Sequence, residues 1–346
     1  MSEQRILVTG ATGFIGSRLA LYAHRLGMDV VGAGREMSAH ESERAQELRS
    51  AGIRLAIGKL QDSKYAQDAV QGCTAIIHLA AAQHEAGMPD VYFRDVNVIG
   101  TQVLLDAARK AGVRRFVYGS SIGVYGSSAD GVLDEASPVR PENIYTRTKL
   151  EAERVVGEFS RDLETCIIRI SETYGQSDYR LLKLFRAIDR EHFVMLGSGT
   201  NQRQCLHVTD LTRALLLSAH HPDAVDQTFV IAGSEAITTN EMVQMIAVAL
   251  NRRPPRLHAP MGPFTALARV LELTLPPLGI QPPLHRRRLD FFTKSFVFST
   301  SKAQSLLGFQ PEIDFATGAA DTVRWYRARG YLSQRHAHEV PGTESV

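Results

Sequence analysis

The chain has 346 residues, of which 22% are charged, and a formal net charge of +2. That length accommodates one large α/β unit with an appendage or two unequal domains, and it excludes a small stapled fold. The near-neutral balance gives no electrostatic ground for a nucleic-acid partner, and three widely spaced cysteines (Cys73, Cys166, Cys205) with no CxxC pair suggest neither a disulfide framework nor a zinc site.

From Met1 the sequence enters the apolar segment Arg5 to Thr9 within a few residues, with no charged leader or long apolar h-region, so a reducing cytoplasm is the expected location. Similar short β-branched runs recur at Asp29 to Gly32, Arg54 to Ile57, Thr74 to Leu79, Arg114 to Tyr118, Thr165 to Ile170 and Gln227 to Ile231. Several are almost wholly apolar, and the segments between them have helical period; in Thr101 to Ala111, for example, Leu104, Ala107, Ala108 and Ala111 share a face. This pattern predicts a doubly wound α/β fold around a parallel sheet, with a smaller mixed lobe towards the C-terminus.

The first run leads directly into Thr9-Gly10-Ala11-Thr12-Gly13-Phe14-Ile15-Gly16, and a helical pattern, Ser17 to Leu26, follows. Three glycines three apart, between a first strand and a helix, allow a tight turn, close backbone approach to a pyrophosphate and close helix packing. Gly10, Thr12, Gly13, Phe14, Ile15 and Gly16 are therefore candidate dinucleotide ligands. At the end of the second run stand Arg35 and Glu36. Arg35 could fork onto a 2′-phosphate and Glu36 could accept from a free 2′-hydroxyl. With no acid at the strand's last positions, NADP(H) is favoured, and NAD(H) stays open.

Farther on, Gly119-Ser120-Ser121 follows a strand, and the C-terminal end of a strand is where α/β folds place ligands. Tyr145 and Lys149 lie four apart at the start of a helical run, Leu150 to Ser160, so phenol and ammonium share a face. A nearby positive charge lowers a tyrosine's pKa towards working pH, which yields a usable acid/base. No metal ligand set is expected: His220 and His221 adjoin a proline, and His336 and His338 lie near the end.

The sequence resembles the extended short-chain dehydrogenase/reductase family, also called the NAD-dependent epimerase/dehydratase family. The resemblance rests on the Gly10 to Gly16 loop, His78-Leu79-Ala80-Ala81, Asn97 before Gly100-Thr101, Ser120 to Gly126, Tyr145 to Lys149, Arg169 to Gly175 and His207 to Asp210. It implies a Rossmann sheet and an enzyme with Tyr145 as general acid/base, and with Lys149 holding the nicotinamide ribose. It further implies Ser121 on the reacting oxygen, with Ser120 as the fallback, Asn97 in the proton relay, and Leu60, Ala80, Ala81 and Ser171 beside the cofactor. Lys59 stands where the family usually carries an acid for the adenine amino group. A homodimer through Thr101 to Ala111 and Thr148 to Ser160 is implied as well.

The substrate candidates are Ser121, Glu172, Arg203 and Arg288. Arg203 matches the position where sugar-nucleotide members hold a diphosphate, with Arg288 or Arg287 as a second cation. Glu172 stands where many of those members carry asparagine, and its charge would repel a diphosphosugar. The apolar stretch Leu267 to Ile280 and Phe296-Val297-Phe298 resemble 3β-hydroxysteroid dehydrogenase-like members. Three functions are therefore carried forward: a nucleotide-sugar epimerase, dehydratase or reductase; a dehydrogenase of a hydrophobic ring alcohol; and a non-catalytic NADP(H) sensor.

The expected division is 1–170 and 205–233 for the dinucleotide domain and 171–204 and 234–334 for a substrate lobe, with 335–346 as a disordered tail. Eight of the 14 prolines fall between Pro254 and Pro283, which predicts irregular structure and short helices there. Within that stretch, Met261 to Ile280 carries Arg269 and Glu272 and is interrupted by Pro276 and Pro277. It is therefore not an ordinary spanning helix, although peripheral lipid contact stays open.

Overall fold

The structure is a computed structural model that describes residues 4–83, 88–126, 131–274 and 286–333, without the side chains of 273 and 286–288. The expected tail 335–346 lies outside the described residues. Two compact units emerge, one formed by 4–173, 203–236 and 295–314, the other by 174–202, 237–294 and 315–333.

The first unit holds seven parallel strands: β1 (Arg5–Thr9), β2 (Asp29–Gly34), β3 (Arg54–Ile57), β4 (Ala75–His78), β5 (Arg115–Ser121), β6 (Glu164–Ile170) and β7 (Gln227–Ile231). Their order across the sheet is β7-β6-β5-β4-β1-β2-β3. Alternate residues feed separate cores: Ile6 and Val8 of β1, Ala75 and Ile77 of β4 and Val117 of β5 point to one side. Leu7, Ile76, Phe116 and Tyr118 point to the other. Burial on both faces explains why these strands read as apolar runs rather than as an alternation.

Helices Phe14–Arg25 and Val208–His220 cover the first face through Leu19, Ala23, Leu211 and Leu215. Helices Ser63–Val70, Gly100–Lys110 and Ile144–Glu158 cover the second through Ala66, Leu104, Leu105, Ala152 and Val156. The strand order reverses between β1 and β4, and it is outside the carboxyl ends of these strands that a doubly wound sheet opens a ligand crevice.

Residues 295–314, read from sequence as part of the lobe, cluster with this first unit instead. Val297 and Phe298 pair in parallel with Val132 and Leu133, and Phe298 N donates to Gln204 Oε1 at 2.8 Å. Phe298 also stands 6.0 Å from Tyr125 between ring centres.

The second unit is mainly helical: Leu182–Asp189, Thr239–Leu250, Met261–Thr274, Arg286–Thr293 and Phe315–Ala328, with a short parallel pair, Met195–Leu196 and His258–Ala259. Despite the prolines, Met261–Thr274 is a regular helix of 14 residues. Pro263 falls in its first turn, where the missing N–H breaks no bond.

Candidate active site

β1 ends at Thr9, and the chain turns through Gly10 at φ 67°, in the left-handed region. A Cβ on Gly10 would stand 2.8 Å from Ala80 N, and one on Gly16 would stand 2.1 Å from Gly10 O. Glycine is therefore required at both points. The helix Phe14–Arg25 that follows has no side-chain cap at Gly13 and no acid in its first turn. The positive end of its dipole is therefore not offset by a side chain there and favours an anion.

Gly10, Thr12, Gly13, Ala80 and Ala81 line one cavity with Arg35 and Leu60. Phe14, Ile15 and Gly16 form the first helical turn and are not among its lining residues. The sequence reading missed several lining residues, notably Gly34, Glu41, Gly58 and Tyr65, while Lys59, which it noted as a departure from the family, also lines the cavity.

Charge at the far end of the cavity is uneven. Glu36 is held by Arg49, which keeps its carboxyl below the usual range through that hydrogen bond. The Glu41 carboxylate accepts Met37 N at 2.7 Å and Ser38 N at 3.0 Å in a capping box. Arg35 donates to Tyr92 OH at 2.8 Å and, with Lys59, lines the same space. A helix N-terminus without an acid, a passage of small residues and a cationic end fit a nicotinamide dinucleotide.

Behind the crevice runs a buried polar chain. Thr101 Oγ1 donates to Asn97 O at 2.7 Å, so at its 2.9 Å contact with His78 Nε2 the hydroxyl must accept. His78 Nδ1 in turn accepts from Thr9 Oγ1 at 2.6 Å. The imidazole is therefore the neutral Nε2–H tautomer, and burial, helped by the charge of Lys149, lowers its pKa to about 3. Asn97 sits in a π-helical turn, Asp95–Ile99. Its Oδ1 accepts Ala82 N at 2.7 Å, and its Nδ2 donates to Ala82 O at 3.0 Å and to Thr148 Oγ1 at 2.9 Å. It thus ties the segment that follows β4 to the helix Ile144–Glu158.

Asn143 caps that helix in a box with Thr146, which fixes Tyr145 in the first turn. Tyr145 is half-buried, and Lys149, one turn on, is almost fully buried with Nζ 4.2 Å from the centre of the Tyr118 ring. Burial lowers the Lys149 pKa to about 7, against the opposing pull of Glu153. Its proton is therefore exchangeable near neutral pH.

Glu153, another turn on, binds buried Arg169 at 2.8 Å and accepts from Ser120 Oγ. The sequence reading overlooked this acid, although the spacing of Tyr145, Lys149 and Glu153, four and four on one helix, carried the signal.

Ser120 is thus committed to Glu153. Ser121 Oγ accepts Gly123 N at 3.1 Å, which leaves the hydroxyl proton outside that bond. Ser171 is buried and donates to Gln204 O at 3.1 Å. Arg203 is buried and bound to Glu172 at 2.7 Å, with Glu172 the more exposed partner. Arg288 lies in the helix Arg286–Thr293 of the other unit, and its side chain lies outside the described residues.

A model of the NAD dependent epimerase/dehydratase family matches residues 6–232. The chain belongs to that family. It is 31% identical to a dTDP-glucose 4,6-dehydratase of Streptomyces niveus over 93% of each chain. Sterol demethylase protein B of Methylococcus capsulatus is 28% identical, over 94% of this chain and 99% of that one. Among solved structures, MoeE5 in complex with UDP-glucose and NAD matches with a TM-score of 0.72 at 28% identity, over 94% of this chain and 99% of that one.

Proposed function

We propose that this member of the NAD dependent epimerase/dehydratase family passes a hydride between a nicotinamide dinucleotide and a ring carbon bearing a hydroxyl or keto group, with a nucleotide sugar as substrate. The observation that carries this reading is the placing of Tyr145 one turn before a lysine whose burial brings its pKa to about 7. The nucleotide-sugar class is supported by the dehydratase relative and by the MoeE5 complex.

When bound, the nicotinamide ring supplies the acceptor or donor of the hydride. Tyr145 removes the proton from the substrate hydroxyl, or returns it to a ketone. Lys149, with its charge beside the phenol, keeps the tyrosine oxygen able to hold either state, and the Ser121 hydroxyl donates to the reacting oxygen. Asn97 is a positioning residue that fixes the helix through Thr148 and the cofactor side through Ala82.

Arg35 and Lys59, with Glu36 and Glu41 engaged elsewhere, support NADP(H) over NAD(H). A cytoplasmic homodimer through the helices Gly100–Lys110 and Ile144–Glu158, and a substrate-selecting role for the second unit, complete the proposal. Light scattering of the purified protein tests the dimer.

The Glu172–Arg203 pair favours a second reading, an enzyme for a hydrophobic ring alcohol. A guanidinium already matched to a carboxylate has less to offer a diphosphate. The sterol demethylase relative supports the same reading.

The deciding experiment is purification without added cofactor, denaturation, and mass spectrometry of any released dinucleotide. Retained NAD favours an epimerase or dehydratase that recycles its own hydride, and overturns the assignment of Arg35. An empty protein that binds NADPH favours a reductase or dehydrogenase. Turnover of UDP- and dTDP-sugars against sterol alcohols then separates the substrates. Tyr145→Phe abolishes turnover and keeps cofactor binding; unchanged turnover overturns the catalytic assignment.

A further inference from the structure

The helix Met261–Thr274 is apolar on two sides. One stripe, Met261, Phe264 and Ala268, packs on Leu196, Leu289 and Phe292 within its own unit. At 100° per residue the opposite side carries Pro263, Ala266 and Val270, flanked by Leu267 on one edge and Arg269 on the other, all exposed, with Leu267 at 50% and Val270 at 55%. An ordinary surface helix presents polar residues there. Here the sole charge on the outward side, Arg269, stands at its edge.

Charge separates this region from the rest of the protein. Between residues 251 and 293 there are seven arginines, among them Arg253, Arg256, Arg269 and Arg286, against two acids, Glu272 and Asp290, in a chain whose total is only +2; one of the seven, Arg252, is held by Asp189 at 3.1 Å. Arg253, Arg256 and Arg269 are exposed. The sequence continues from the helix as Leu275-Pro276-Pro277-Leu278-Gly279-Ile280-Gln281-Pro282-Pro283-Leu284, without a charge. Among the described residues no helix is long and apolar enough to cross a membrane.

An apolar helical face that carries an exposed arginine, in an arginine-rich stretch of sequence and too short to span, has the makeup of a segment that lies in the headgroup plane of an anionic bilayer. We propose that the outward face of Met261–Thr274 is a docking surface for such a bilayer, with Leu267 and Val270 entering the acyl boundary and the arginines facing lipid phosphates. The charge surplus selects lipid over a second copy of the chain, because two copies meeting on this region would bring like charges together.

The test is cosedimentation of the full chain with vesicles of phosphatidylcholine and phosphatidylglycerol, beside vesicles of phosphatidylcholine alone. The expected result is partition onto the anionic vesicles at least about tenfold stronger than onto the neutral ones, weakening as salt is raised. A Leu267→Ser, Val270→Ser double variant loses about tenfold in partition and keeps its dinucleotide binding. Arg269→Glu, which leaves the apolar stripe intact, weakens binding to anionic vesicles alone. Absence of sedimentation with both vesicle types overturns the proposal. So does a double variant that binds like the parent, or one that turns a dimer into a monomer without any change in lipid binding.

Discussion

His78 and Thr101 are joined by a hydrogen bond of 2.9 Å in which the imidazole is the donor. The direction follows because the threonine's one proton is spent on Asn97 O. Two strands and a helix of the dinucleotide unit are therefore connected by side chains whose donors and acceptors all run one way, from Thr9 to Asn97.

This chain fixes the behaviour of His78 in acid. Burial and the charge of Lys149 lower its folded pKa to about 3, so the unfolded chain takes up a proton first as pH falls. The contribution to stability is complete above about pH 6.5 and is lost as pH falls towards 3. Nitrogen-detected NMR of labelled histidine is expected to show one Nε2–H tautomer unchanged to pH 5. His78→Phe, which leaves the Thr9 hydroxyl without its acceptor, costs about 1–3 kcal/mol in urea unfolding.

Lys149 has the opposite placement on the pH scale. Its folded pKa, about 7 through burial, lies below that of an unfolded lysine, so between pH 7 and about 10.5 the unfolded chain holds the extra proton. Stability at this residue therefore rises with pH through that window, with a slope of up to about 1.4 kcal/mol per pH unit. The slope is absent in Lys149→Met when both proteins are unfolded in urea at a series of pH values. Equal slopes would show that Lys149 titrates normally.

Glu153 balances Arg169 where neither side chain reaches much solvent. Glu153→Gln leaves the guanidinium uncompensated and is expected to destabilise by about 3–5 kcal/mol. It also removes the charge that holds the Lys149 pKa up, which moves the lysine's titration to lower pH. A structural role alone predicts the first effect without the second. The pH profile of turnover separates them.

Glu172→Gln keeps the shape of its side chain and removes the charge that engages Arg203. If a diphosphate is bound at this arginine, the variant binds UDP and dTDP about tenfold or more tightly by calorimetry. Weaker or unchanged binding would mean that the ion pair serves a substrate without phosphate.

The sheet was legible because its strands are buried on both faces, which leaves unbroken runs such as Leu7-Val8 and Ile76-Ile77 between turns. Strand ends were less so: β5 continues three residues past Tyr118 to Ser121, since Gly119, Ser120 and Ser121 have low strand propensity and are held by pairing with β6. Gly10, Tyr145 and Lys149 could be found from spacing. Glu153 shares that spacing, but its role as the partner of a buried arginine does not show in it; Thr148 and the Thr9–His78 contact could not be weighed that way at all, because their partners lie 51 and 69 positions away. Helix Met261–Thr274 was hidden by prolines, which count as breakers until one is seen to fall in a first turn.

The π-helical turn Asp95–Ile99 closes its hydrogen bonds over one more residue than an α-helix would. Deleting one residue of the five would let the flanking helices Asp90–Arg94 and Gly100–Lys110 join without interruption, giving a smoother rod that no longer turns the Asn97 amide onto Ala82 and Thr148. Selection for a more regular helix and selection for a working crevice would edit these five residues in opposite directions.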